Sequence, residues 1–194
     1  MKICIFGAAS AHIDKIYIDE TEKLAKKLAQ KGHSLVFGAG ATGLMGAAAR
    51  GFKAGGGFVH GVIPEFFREE SVEAIFDGCD KITYTKTMSE RKFVMEGEAE
   101  AFIITPGGIG TFEEFFEVLT LKQLGRHNKA IAILNTLNYY DDLEKFMNTV
   151  AERKFMTFKC GEMYKVFNDA DKLIDYIESY VPDDGGWRKL KIGD

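Results

Sequence analysis

The stretch Thr105-Pro106-Gly107-Gly108-Ile109-Gly110-Thr111-Phe112-Glu113-Glu114-Phe115-Phe116-Glu117 puts phosphate-binding and acid–base residue types side by side. The apolar run Ala101–Ile104 before it reads as a buried strand, and an acidic amphipathic helix follows. Glycines let the backbone approach a ligand with no Cβ in the way. A helix start offers free N–H groups and the positive end of a dipole to an anion. Carboxylates then follow within about one turn. That combination suits chemistry on a nucleotide or a sugar phosphate.

A second candidate group is Met88-Ser89-Glu90-Arg91-Lys92, at the start of a helical run. Arg91 could grip a phosphate as a bidentate fork and Lys92 as a point charge. The alternative is a solvated basic pair, which a helix N-terminus disfavours. The acidic residues also have a plain explanation. Asp and Glu suit a first helical turn whatever the function, and Thr111-x-x-Glu114 has the spacing of a capping box. In that arrangement Glu114 bonds a backbone amide rather than a substrate. Phe112, Phe115 and Phe116 read most simply as core.

Gly38-x-Gly40-x-x-Gly43 matches the dinucleotide fingerprint, with Glu65 downstream. It follows the second strand, however, and a second glycine loop competes for the phosphate. Close helix–sheet packing explains the same glycines. The histidines His12, His33, His60 and His127 show no ligand spacing, so no metal site is expected. There is no GxSxG, and Cys4, on a strand, reads as buried rather than nucleophilic.

The elements that must position these residues alternate along the chain. Strands are expected at Lys2–Phe6, Leu35–Phe37, Phe58–Ile63, Lys81–Thr85, Ala101–Ile104, Ala130–Leu134 and Val166–Phe167. Helices are expected around Tyr17–Leu28 (Gly32 marking the C-terminus), Leu44–Ala54, Met88–Ala99, Phe112–Leu124, Asp141–Ala151 and Ala170–Tyr180. Residues 65–80 carry no clear period. The alternation predicts a single α/β domain over residues 1–181, a doubly wound parallel sheet with helices on both faces. Ligands on such folds sit at the carboxyl ends of strands, where the strand order reverses. The tail 182–194 is expected to be loose.

The 194 residues suffice for one sizeable core, and 46% hydrophobic with 28% charged residues is an ordinary globular balance. A net charge of -4 without a basic stripe argues against nucleic-acid binding. No apolar run approaches the roughly 20 residues of a membrane span. Three scattered cysteines and an opening strand in place of a signal core fit a cytoplasmic protein with reduced thiols.

Taken together, Gly40-Ala41-Thr42-Gly43-Leu44-Met45-Gly46, Met88-x-x-Arg91-Lys92-x-x-Met95 and Pro106-Gly107-Gly108-Ile109-Gly110-Thr111-x-x-Glu114 resemble the LOG ("Lonely Guy") family. Gln123-Leu124-Gly125 and Asn138-Tyr139-Tyr140-Asp141 fit as well, and the likeness spans about residues 2–151. The resemblance implies a Rossmann-like fold, a homodimer with the active site near its interface, and no cofactor. It implies cleavage of the N-glycosidic bond of an adenosine 5′-monophosphate, plain or N6-prenylated, to free base and ribose 5-phosphate. Carried onto this chain, Arg91 and Glu114 form the catalytic pair. Gly107, Gly108, Ile109, Gly110 and Thr111 hold the phosphate with Lys92, and Gly40, Met88 and Glu73 contact substrate. A non-catalytic nucleotide sensor or carrier on the same fold is the alternative. The chain departs from the family at Gly38-Ala39-Gly40, where three glycines are common, and at Gly7-Ala8-Ala9-Ser10, where Gly-Ser-Ser is common. Relatives often carry a lysine decarboxylase label, but the chain shows no recognisable pyridoxal-phosphate lysine motif.

Overall fold

Short apolar runs rich in β-branched and aromatic residues form the interior strands, which are buried on both faces as in a parallel sheet, while the two edge strands are more exposed. A computed structural model of the protein describes residues 1–69, 74–156 and 162–182. The strands are β1 (Lys2–Phe6), β2 (Ser34–Phe37), β3 (Val59–Pro64), β4 (Lys81–Thr85), β5 (Ala101–Ile104), β6 (Ala130–Leu134) and β7 (Lys165–Phe167). The helices are α1 (Lys15–Gln30), α2 (Gly43–Ala54), α3 (Glu65–Glu69), α4 (Met88–Glu98), α5 (Ile109–Gln123), α6 (Asp141–Glu152) and α7 (Ala170–Ser179). The sheet order is β4-β3-β2-β1-β5-β6-β7, and every pairing is parallel.

Alternate residues of the interior strands feed two cores. Ile3, Ile5, Leu35 and Ile103 pack with Leu24, Leu28, Phe52 and Leu173 on the face of α1, α2 and α7. Cys4, Phe6, Phe102 and Ile131 pack with Met95, Phe115, Val118 and Met147 on the face of α4, α5 and α6. In register, Cys4 lies opposite Val36 of β2 on one side and Phe102 of β5 on the other. The chain thus winds outward from β1 to β4, then returns to β5 on β1's other edge. The crevice where the loops after β1 and β5 part is the place such a fold offers a ligand. This is the doubly wound architecture expected.

Most boundaries agree with the sequence periods to within a residue or two. Gly32 has φ +85°, the left-handed turn expected after α1. The main differences flank the crevice. The segment without a clear period holds the short α3, and α5 begins at Ile109 rather than Phe112. Ile109 is 87% exposed, so it breaks the amphipathic pattern and hides the true start. From residue 183 onward, the expected loose tail lies outside the described residues.

Candidate active site

The loops after β1 and β5 are tied to each other and to α2. Ala8 N–H donates to the Pro106 carbonyl at 3.1 Å, and Leu44 N–H donates to the Ala8 carbonyl at 2.7 Å. Gly43 makes this approach possible. It has φ +58°, and a Cβ there would lie 2.3 Å from the Ala8 oxygen. The glycines after β2 therefore serve packing, which leaves the β5–α5 loop as the candidate cradle. Gly40 is buried in that packing, bridged to Ile75, and does not line the cavity described next.

A cavity of about 400 Å³ opens at the crevice. Its walls are Gly7–Ser10 after β1, Met45 of α2, Phe67 of α3, Met88 and Arg91 of α4, and Gly108, Gly110, Thr111, Glu113 and Glu114 around the start of α5. Gly108 is the N-cap of α5, and no side chain caps that end. The first-turn amides of a 15-residue helix thus face the cavity region. Thr111 sits inside the first turn and Glu114 in the second. The capping-box reading of Thr111 and Glu114 is therefore incorrect, because the helix begins before Thr111 rather than after it. A side-chain cap exists on α4 instead, at its N-cap Thr87. Thr87 Oγ1 accepts from Glu90 N–H at 3.1 Å, and the Glu90 carboxylate accepts from Lys86 N–H at 2.8 Å.

That capped start presents Arg91 inward. Arg91 is only 5% exposed, so it is no solvated surface cation. Its Nε donates to the Val62 carbonyl at 3.1 Å and its Nη2 to the Gly38 carbonyl at 2.7 Å. The guanidinium also lies over the Phe67 ring at 5.5 Å. Gly38 is required here, since a Cβ would lie 1.8 Å from Nη2.

Glu114 is partly buried beside this cation. Burial pushes its carboxyl up to about 7; Arg91 and Lys92 oppose the rise, while Glu113 and Glu117 add to it. A carboxyl balanced near neutrality in a cleft, facing a buried arginine, is a candidate acid–base group.

The structure brings Arg91, Glu114, Met88, Gly108, Gly110 and Thr111 to one cavity. It separates four others from it, Gly40 as described above and three more. Gly107 lines a neighbouring cavity of about 200 Å³ and accepts a 2.7 Å bond from the Tyr139 hydroxyl. Ile109 points to solvent. Lys92 does not line the cavity; its ammonium is held between Glu113 and Glu117. The structure thus places Lys92 in an ion pair beside the cavity rather than on its wall. Lys92 follows Arg91 on α4 and so points toward α5, where two acidic residues one turn apart receive it. Glu73 lies outside the described residues. Among wall residues not expected, Phe67 falls in the segment without a period and carried no signal. Gly7–Ser10 did carry one, as a glycine turn directly after the first strand.

Comparisons with known proteins complete the picture. A family profile described as "possible lysine decarboxylase" matches residues 45–177. A cytokinin riboside 5′-monophosphate phosphoribohydrolase of Arabidopsis thaliana is 34% identical over 181 residues, covering 93% of this chain and 84% of its own. A probable enzyme of the same name from Oryza sativa subsp. japonica is 35% identical, covering 93% and 85%. Among solved structures, the molybdenum cofactor carrier protein of Chlamydomonas reinhardtii superposes with a TM-score of 0.71 at 21% identity, covering 91% of this chain and 95% of its own. That last likeness is one of fold.

Proposed function

The chain belongs to the family described as possible lysine decarboxylase, alongside curated phosphoribohydrolases, and on that premise we propose that it hydrolyses the base–ribose bond of an adenosine 5′-monophosphate, plain or N6-substituted. The carrying observation is that Arg91 and Glu114 face one cavity with the uncapped start of α5 at its wall. Among the described residues lining that cavity there is no lysine to form an imine, so decarboxylation through one finds no support.

In this reading the 5′-phosphate docks on the amides of Gly108–Thr111, where the dipole favours an anion. Docking carries C1′ to the Glu114 carboxylate. Cleavage passes through an oxocarbenium-like state, which a carboxylate stabilises. Water bonds to C1′ through its oxygen and gives its proton to Glu114. The electrons of the C1′–N bond leave with the base, which takes up a proton. Arg91, held by two backbone carbonyls, orients the nucleotide with little reorganisation. Such acid–base help is typically worth about 10²–10⁴-fold, and fixing the phosphate adds more.

The test is phosphate dependence. AMP should be cleaved at least about 10²-fold more efficiently than adenosine, which shares the ring but lacks the anchor. Equal kcat/KM for the two would remove α5 from the mechanism.

A second copy of the chain is the partner that this reading includes. Phe93 of α4 is 77% exposed, and Phe116 of α5 and Leu124 just after it are 38% and 44% exposed. Sedimentation should show a dimer, weakened by Phe93→Asp.

A further inference from the structure

The observation that the proposed mechanism leaves unused is the seating of Lys92. Adjacent residues of α4 meet adjacent residues of α5. Arg91 acts on Glu114, while Lys92 Nζ pairs with Glu113 and lies 2.5 Å from Glu117 Oε2. Lys92 is 13% exposed, against 53% for Glu113 and 34% for Glu117, so the ammonium is the enclosed member of the trio. Burial works against its charge, yet the bonds to Glu113 and Glu117 hold its proton affinity above the ordinary lysine value. It stays charged at every pH at which the enzyme works.

We propose that Lys92 is a positioning residue that neutralises Glu113 and Glu117 and thereby keeps the neighbouring Glu114 carboxylate ionised for catalysis. The inference rests on Glu114 being the catalytic carboxylate. The charged and titratable groups that act on Glu114 are Arg91 and Lys92 from α4, Glu113 and Glu117 from its own helix, and the Cys4 thiol from β1; Glu96 of α4, whose carboxyl burial and then Glu117 push up to about 7, shares Lys92, Glu113 and Glu117 with it. The thiol is fully buried and its proton affinity is raised well above the ordinary value, first by burial and next by Glu114, so it stays neutral. Two cations therefore balance two flanking anions. Removing Lys92 leaves both anions acting on Glu114 with one cation opposing, and its proton is held more tightly. A pair of like charges within a few ångströms is enough to move a carboxyl by about a unit.

The discriminating readout is the acid limb of kcat/KM against pH, which reports the ionisation of the free enzyme's essential base. Lys92→Met should shift that limb upward by at least about half a pH unit. Its high-pH plateau and its KM for AMP should be retained, because Lys92 does not line the cavity. Lys92→Arg should restore the wild-type limb. Glu113→Gln, which removes one anion from beside Glu114, should shift it downward. An unmoved limb in folded Lys92→Met overturns the inference, and a KM raised equally at all pH values would make Lys92 a phosphate ligand instead. Should Lys92→Met not fold, Glu113→Gln decides alone, and an unchanged or raised limb is the contrary result. Glu114→Gln is assayed alongside. If it is inactive while the Lys92 and Glu113 limbs stay put, only this inference falls. If it is fully active, the catalytic assignment of Glu114 falls with it.

Discussion

Gly38→Ala changes a residue that does not line the candidate site, and the structure says what it should do. The new Cβ would lie 1.8 Å from Arg91 Nη2 and 2.8 Å from its Cζ. The backbone at Gly38 accepts that same Nη2 at 2.7 Å, so the methyl cannot fit while the bond persists. The guanidinium must move, losing a charge-assisted bond inside the protein and disturbing its contacts with Val62 and Phe67. Such a bond is worth about 1.5–3 kcal/mol. In a chain of this size that lowers Tm by roughly 3–12 °C, at about 2–4 °C per kcal/mol. The catalytic consequence is larger in proportion, since displacing a positioning group by about 1 Å costs on the order of 10²-fold in rate. Calorimetry and steady-state hydrolysis of AMP read the two effects on one sample. A lowered Tm with kcat/KM within about threefold of wild type would refute the claim that Arg91 must be pinned where it lies.

Glu114→Gln should lose at least about 10²-fold in kcat/KM. In the wild type, kcat/KM should rise with pH through a limb near 7, where burial has moved the Glu114 carboxyl. The same shift bears on stability. A carboxyl raised from 4.5 to about 7 on folding binds more protons in the native state across that window, so its contribution falls as pH rises from 4.5 to 7. Melting at pH 8 should therefore show Glu114→Gln at least as stable as wild type; a clearly lower Tm would mean that the carboxylate has a structural partner. Lys122 is fully buried and donates to the carbonyls of Lys129 and Met163 and to the Tyr180 hydroxyl, at 2.8, 2.8 and 2.9 Å. Lys122→Met should cost about 2–4 kcal/mol through the acceptors left unpaired, read by denaturant unfolding. Burial lowers Lys122 to about 8, so the unfolded chain binds the extra proton between that value and 10.5. The stability gap between wild type and Lys122→Met should widen as pH rises through that range; a constant gap would contradict the shift.

Most strands were legible because they are short apolar runs closed by a glycine or a proline, as in Ala101–Ile104 before Thr105-Pro106-Gly107. The crevice followed from topology, since both glycine loops trail strands. The beginning of α5 was not legible. Ile109 reads as an apolar residue outside the amphipathic stripe, and Thr111 with Glu114 imitates a cap. The Lys92 trio was equally hidden, because pairing between α4 and α5 depends on how two helices lie side by side across the sheet. Leu137 and Asn138, left-handed at φ 53° and 60°, carry no glycine to announce their turn. Tertiary bonds hold them there: Asn138 Oδ1 accepts from Asn168, and Asn135 bonds Tyr140 N–H and Asp141.

The most direct measurement is product analysis of the purified protein with AMP and with N6-isopentenyl-AMP, separating free base, nucleoside and ribose 5-phosphate by chromatography. The account predicts base and ribose 5-phosphate in equal amounts from at least one substrate, abolished by Glu114→Gln. Tight nucleotide binding with neither product released would contradict it and make the chain a nucleotide carrier.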